Sequence, residues 1–196
     1  MRVWADEVRR SLGGTLALVN RRAEGLKAFD LSEHGFWRSF AAIGLTLPAF
    51  VVALAFERSR LGLLQPGEAL VDASRLTLVV AAGHMASFLA LPLVMIGVAR
   101  RLGLGHGYVP FVVVTNWVLA LGLTLLSVPA ILLLIGWATP AHAVLFALGF
   151  GVIVLRTQWF AAKVTLGVSG RFAAAIVLLG MTLDLLIAGT VDTLAR

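Results

Sequence analysis

The sequence contains no cysteine and only one tyrosine among its 196 residues. The absence of cysteine excludes disulfides, thiolate catalysis and cysteine-based metal sites. Lysine is also rare, because only Lys27 and Lys163 accompany the arginines, and we interpret this as the codon bias of a GC-rich bacterial genome. Charged residues make up only 13% of the chain, so no stretch has the composition of a soluble catalytic domain.

Hydrophobic residues are in excess instead: they form 60% of the sequence, which has a mean hydropathy of +0.97. These values lie outside the range of soluble globular proteins and indicate a polytopic membrane protein. The formal net charge is +6, but the basic residues lie mainly between apolar runs, where they set membrane topology. We therefore predict contact with the lipid bilayer and no binding of nucleic acid.

Five apolar segments are long enough to cross a hydrocarbon core of about 30 Å, which takes about 20 helical residues. The predicted fold is an all-α bundle of five transmembrane helices, over residues 37–56, 76–99, 110–136, 140–163 and 172–192. Proline should kink the first three helices, at Pro48, Pro92 and Pro129. Residues 1–36 are the predicted cytoplasmic or interfacial N-terminal segment, and residues 37–196 are the predicted membrane domain.

The N-terminal segment has an amphipathic pattern. We predict an interfacial helix over residues 2–20, because apolar side chains recur there at helical spacing and charged ones occupy the rest of the helix. The apolar positions are Trp4, Val8, Leu12, Leu16 and Val19. A membrane anchor is the simpler interpretation of this helix, and a docking site for a partner is the alternative. Asp30 is the predicted N-cap of the next helix, since Glu33 follows at the spacing of a capping box.

Positive charges are distributed unevenly between the two sides of the predicted bundle. One side receives twelve lysines and arginines, from the N-terminal segment, the second loop and the region around the fourth span. The other side receives four, which are Arg58, Arg60, Arg75 and Arg196. Because basic residues are retained in the cytoplasm, we expect a cytoplasmic N-terminus and an external C-terminus in the inner (plasma) membrane of a bacterium.

Four polar residues interrupt the apolar spans and form the candidate intramembrane site: Asp184, Arg156, His84 and Asn116. A rise of about 1.5 Å per residue from the helix ends places Asp184 and His84 near the middle of the bilayer, and Arg156 and Asn116 at the level of the inner leaflet. The long arginine side chain can cover much of that difference. Arg156 is the predicted partner of Asp184, and His84 is the second choice. Ionisable groups in a bilayer are costly and often mark a path for protons or solutes. The alternatives are a structural pair that fixes helix register and an unpaired, protonated carboxyl.

Motifs for enzymatic chemistry are weak. The "GVSG" of Gly167–Gly170 matches the GxSG of rhomboid proteases, in which a serine and a histidine from another helix form a dyad. Ser169 falls in a short loop, however, and a turn is the favoured interpretation. No metal-ligand spacing relates the four histidines, which are His34, His84, His106 and His142. We predict no enzyme, no catalytic, cofactor-binding or metal-binding residue and no cofactor, with an intramembrane hydrolase as a third function class.

The order of segments resembles a known family. A cytoplasmic N-terminal region, five spans and tight late connections resemble the Yip1-type membrane proteins in their small bacterial forms. The segment "LRTQWFAAKVTLGVSG", residues 155–170, followed by the Asp184 helix, is also similar to a group of uncharacterised proteobacterial integral membrane proteins. The resemblance implies a multi-pass membrane protein and transfers no site residue, because the DLYGP signature of the eukaryotic members is absent.

These features lead to two expectations for function. The first is a non-enzymatic adaptor or assembly factor for membrane components, with other membrane proteins as partners. The alternative is a small transporter or channel subunit that uses the four intramembrane polar residues. Five spans do not divide into the two equal halves that are common in transporters, which favours the adaptor. The sequence leaves the oligomeric state open.

Overall fold

The structure, a computed structural model, describes the backbone of residues 2–60 and 70–195 and the side chains of residues 4–59 and 74–195. This part of the chain is helical throughout and contains no strand. Its seven α-helices are α1 (Arg2–Val19), α2 (Glu33–Ser39), α3 (Leu47–Arg60), α4 (Leu70–Leu102), α5 (Gly105–Leu134), α6 (Pro140–Leu166) and α7 (Gly170–Ala195). Two 3₁₀ segments accompany them, Ala23–Ala28 and Phe40–Thr46.

Five helical stretches in the described residues are long and apolar enough to cross a bilayer, which confirms the predicted number of candidate spans. They cover Glu33–Ser59, Ser74–Leu102, Gly105–Leu134, Pro140–Leu166 and Gly170–Ala195. The third ends two residues before its predicted limit, at Leu134. Gly136 adopts a left-handed φ of 75° there, and the following amides bond back to carbonyls of the last turn.

Helix α5 lies at the centre of the bundle. Every residue from Phe111 to Val118 is buried, because α5 packs against α6, α4, α3, α2 and α1. One hydrophobic cluster joins this stretch to the N-terminal segment through Leu18 and Phe29. A second cluster joins it to α4 and α6 through Met95 and Leu166. The N-terminal segment therefore shares its apolar contacts with the central helix of the bundle.

Helix α1 packs against α5 and α6 through a small and polar face. Ser11, Thr15 and Leu18 are buried on that face, and Thr15 donates to the carbonyl of Ser11 at 2.9 Å. Trp4 and Leu16, from the apolar face that the sequence predicts, are exposed. Their contact with lipid stays a prediction. Val8 and Leu12, from the same predicted face, are partly buried and pack against the hydrophobic cluster that joins α1 to α5.

The connection between α1 and α2 is fixed by a salt bridge and a helix cap. The buried Glu7 pairs with Arg38 of α2. The predicted N-cap, Asp30, is wrong: Ser32 caps α2, because its hydroxyl accepts from the Gly35 N–H at 3.1 Å. Hydrogen bonds from the side chain and backbone of Ser32 instead lower the pKa of the Asp30 carboxyl. The predicted boundary after residue 36 falls inside α2.

The first span is not one regular helix. The sequence predicts a single helix over residues 37–56 with a kink at Pro48, whereas the structure has α2, the 3₁₀ segment Phe40–Thr46 and α3 in succession. Pro48 lies in the first turn of α3, where its missing N–H has no intrahelical partner to lose. A continuous α-helix would bring the proline ring against the Gly44 carbonyl. We attribute the 3₁₀ segment to this conflict.

Candidate functional site

Two hydroxyl groups flank the 3₁₀ segment, and each is bonded to a different helix. The Ser39 hydroxyl donates to the carbonyl three residues before it at 2.7 Å and accepts from the Asn116 amide of α5 at 2.9 Å. The Thr46 hydroxyl likewise donates to the carbonyl three residues before it at 2.7 Å, and it lies 2.7 Å from Nε2 of His84 in α4. Both hydroxyls are fully buried. Irregular backbone at membrane depth needs such protein partners.

The bond to Thr46 fixes the tautomer of His84. A hydroxyl has one hydrogen, and Thr46 uses it on the Ile43 carbonyl, so His84 must donate from Nε2–H. In the neutral form of the ring, Nδ1 is then the acceptor nitrogen. The imidazole packs beside Phe50, with ring centroids 5.6 Å apart, and lines an apolar cavity of about 240 Å³ between α3, α4 and α5.

One polar atom of the Asn116 side chain has no hydrogen-bond partner among the described residues. Its side chain is 1% exposed, and its Oδ1 has no hydrogen-bond partner within the described residues. A buried acceptor without a donor costs free energy. Asn116 therefore offers a bonding position to any donor that a movement of the 3₁₀ segment brings near.

Asp184 lies on the rim of a small cavity formed by four helices. The cavity has a volume of about 20 Å³, and α4, α5, α6 and α7 each contribute one polar side chain to it: Ser87, Thr115, Gln158 and Asp184. The Asp184 carboxyl is hydrogen-bonded to Ser87. Asp184 is nevertheless exposed along its outer edge, so its predicted burial inside the bundle is wrong.

Arg156 is not the partner of Asp184. Its guanidinium donates to the backbone carbonyl of Val19, at the end of α1. Both side chains belong to the described residues, and no salt bridge joins them. The last carbonyls of a helix lack intrahelical donors and carry the negative end of its dipole, so they attract an arginine. His84, the second predicted partner, is bonded to Thr46 instead.

The four predicted residues therefore do not form one polar seam. Asn116 and His84 hold the two ends of the broken first span. Arg156 holds the end of α1, and Asp184 belongs to the separate cavity of the last four helices. The direction in which each side chain points therefore decides the partners of these four residues.

The "GVSG" segment forms a turn, as its favoured interpretation has it. Gly167 ends α6 in the left-handed conformation, with a φ of 65°. The Ser169 hydroxyl accepts from the Phe172 N–H at 3.3 Å, at the start of α7. No three His, Cys, Asp or Glu side chains in the described part of the chain are grouped closely enough to hold a metal ion.

No family model, curated protein or solved structure matches the chain. The candidate site therefore rests on the geometry above. Sequence reasoning missed five of its residues, which are Ser39, Thr46, Ser87, Thr115 and Gln158. One signal was present, since Ser87 follows His84 by three residues and lies near it on the surface of the same helix.

Proposed function

We propose that the protein is a non-enzymatic adaptor or assembly factor for membrane components in the inner membrane of a bacterium. An apolar groove of about 450 Å³ between α4 and α7 carries the proposal. Its α4 side includes Ala82, Gly83 and Ala86, and the large side chains of Leu78 and Leu186 flank it, 70% and 64% exposed.

The groove suits a transmembrane helix of a partner protein. Within a bilayer there is no hydrophobic force between helices, and small residues promote their association because they let two backbones approach closely. The polar residues His84, Asn116 and Arg156 are engaged in bonds within the bundle. Because these three side chains are already engaged, their bonds favour the groove over a polar path as the functional surface.

Photo-cross-linking in native membranes tests the adaptor function. A photoreactive residue at Leu78 or Leu186 should give a discrete protein adduct, and one at Leu148, which is 64% exposed on α6, should not. Filling the groove with Ala86→Leu should remove both the adduct and the co-purifying partner while the variant remains folded. Adducts with lipid alone at all three positions would refute the proposal.

A small transporter or channel subunit is the second candidate, and the broken first span favours it. Discontinuous helices form the substrate sites of many transporters, and a 3₁₀ stretch inside a helix often marks a hinge. Vesicles reconstituted with the protein should then show a pH-dependent flux. His84→Leu should abolish this flux, whereas Ser127→Ala should retain it, because that hydroxyl bonds only to the Thr124 carbonyl of its own helix. A flux equal to that of empty vesicles rules this candidate out.

A further inference from the structure

The cavity beside Asp184 has the ligand set of a cation site. Each of the four helices contributes one oxygen-bearing residue to the lining of the cavity. These residues are Asp184 with a carboxyl, Ser87 and Thr115 with hydroxyls, and Gln158 with an amide. Hard cations take oxygen ligands of these kinds. Ser87 and Asp184 are hydrogen-bonded to each other, and Thr115 and Gln158 line the same space.

The backbone of α4 lacks one hydrogen-bond donor beside the cavity, which frees a carbonyl oxygen. Phe88 and Pro92 of α4 both line the cavity. Proline has no N–H, so Pro92 cannot donate to the Phe88 carbonyl four residues before it. A carbonyl freed in this way is a ligand that broken or kinked membrane helices offer to Na⁺. Gly180 of α7 also lines the cavity, where a Cβ in its place would lie 3.4 Å from the Leu91 side chain.

Size and charge restrict the occupant. The cavity volume of about 20 Å³ holds one water-sized particle, since a single water needs roughly 10–15 Å³, and a dehydrated Na⁺ is smaller than water. Among the described residues that line the cavity, Asp184 is acidic and none is basic. One monovalent cation therefore neutralises the site, whereas a divalent cation leaves an excess charge within the membrane, which is costly.

We propose that Asp184, Ser87, Thr115, Gln158 and the Phe88 carbonyl bind a single Na⁺, in competition with a proton on the Asp184 carboxyl. The bound ion holds α4, α5, α6 and α7 together and, like the proton that it displaces, neutralises the Asp184 carboxylate. The inference goes beyond the adaptor proposal and does not depend on it, because the ion is held whether or not the groove between α4 and α7 has a partner.

Carbodiimide labelling tests the site, because dicyclohexylcarbodiimide reacts with protonated carboxyl groups in apolar surroundings. The full-length protein is labelled in detergent at constant pH in NaCl, KCl or choline chloride of equal ionic strength, and the Asp184 peptide is quantified by mass spectrometry. At ten times the dissociation constant Na⁺ leaves about one site in ten free, so labelling of Asp184 should slow roughly tenfold. Choline is too large for the cavity, so choline chloride should give no such protection. Protection by KCl equal to that by NaCl would overturn the assignment of the site to Na⁺.

Variants and a second measurement complete the test. Ser87→Ala, or Gln158→Leu if that variant does not fold, should raise the Na⁺ concentration needed for protection. Thr182→Ala should not, because that hydroxyl bonds only to the Leu178 carbonyl of its own helix. Na⁺ should also raise the melting temperature of the unmodified protein and not that of Asp184→Asn. If neither labelling nor melting distinguishes NaCl from choline chloride, the carboxyl binds only protons and the proposal is wrong.

Discussion

Three polar residues in the candidate spans are hydrogen-bonded to hydroxyl side chains. Ser39 accepts from Asn116, Thr46 accepts from His84, and Ser87 is bonded to Asp184. A serine or threonine inside a helix can donate its hydrogen to a carbonyl of the preceding turn, as Ser39 and Thr46 do, and still accept from a neighbouring helix. Such a residue satisfies a buried amide or imidazole without introducing a charge.

The bond between Ser39 and Asn116 should contribute measurably to stability. Asn116→Ala removes the donor of a fully buried hydroxyl, and loss of one partner of a buried hydrogen bond costs about 1–3 kcal/mol. Detergent-to-SDS unfolding of the purified protein measures this loss. The double variant Ser39→Ala with Asn116→Leu should recover part of it, because no polar group is then left unpaired. Ser127→Ala, whose hydroxyl bonds within its own helix, should change stability by less than about 0.5 kcal/mol.

The separation of Arg156 from Asp184 predicts that the two residues act independently. Arg156→Gln should loosen the end of α1, where the guanidinium holds the Val19 carbonyl, and so expose residues 20–32 to proteolysis. Asp184→Asn should leave that cleavage unchanged. Their effects on unfolding free energy should add to within about 0.5 kcal/mol, as for residues that share no partner. A coupling well above that value would mean that the two side chains pair after all.

At the scale of helices, α5 and α6 approach most closely where a glycine meets backbone atoms. A Cβ at Gly107 would lie 2.7 Å from the Thr165 carbonyl oxygen and 2.9 Å from Cα of Leu166. Gly107→Ala should therefore cost about 1–3 kcal/mol through overpacking. Gly105→Ala in the same turn is the matched control, because nothing lies within 4 Å of its Cβ position. It should be neutral or stabilise by up to about 1 kcal/mol, and equal melting temperatures for the two variants would argue against this packing.

Sequence reasoning recovered the spans because each one is a long apolar run. It missed the break at Phe40–Thr46, since nothing in "FAAIGLT" differs in composition from a regular membrane helix. We attribute this break to Pro48, which lies two residues after the 3₁₀ segment. The sequence shows where the proline is, but it does not show that the backbone before it becomes irregular. A proline is compatible with a kink inside a helix or with the start of a new one, and tertiary contacts select between them.

The candidate site was predictable only in part, for a geometric reason. Depth follows from position along the chain, so the level of Asp184 and Arg156 could be counted. The direction of a side chain depends on helix tilt and rotation, which neighbouring helices set. Arg156 consequently points to Val19 of α1, which lies 137 residues away in the sequence. Asp184 points to Ser87, which no charge pattern marks.

At the scale of the whole molecule, one tryptophan lies just before α6 and another lies in its second half. Trp137 is 81% exposed, and Trp159 lies under Arg21 and Lys163, whose charged groups are 5.7 and 5.5 Å from its ring centroid. Trp159 lies 19 residues after Pro140, the first residue of α6, and this separation corresponds to about 29 Å of helix, close to a hydrocarbon core of about 30 Å. Tryptophan favours the membrane interface, so we expect Trp159 and the neighbouring end of α1 at the headgroup level.

This placement predicts that α1 lies along the membrane surface. Spin labels at Trp4 and Leu16 should be accessible to oxygen dissolved in lipid, because both side chains are exposed. Labels at Ser11 and Thr15, which face the bundle, should be immobile and shielded. Equal access of a water-soluble reagent to all four positions would contradict an interfacial helix.

The orientation of the bundle follows from charge, and it can be measured directly. Twelve basic residues lie on the side of the N-terminus and four on the other, and the more basic side stays in the cytoplasm. Of those four, Arg58 and Arg75 have described side chains, whereas Arg60 and Arg196 lie outside the described side chains. With five spans the termini must lie on opposite sides.

Alkaline phosphatase fused after Arg196, or inserted at residues 61–69, should therefore be active, and green fluorescent protein at Arg196 should stay dark. Fluorescence at Arg196 would mean that one candidate span does not cross the membrane.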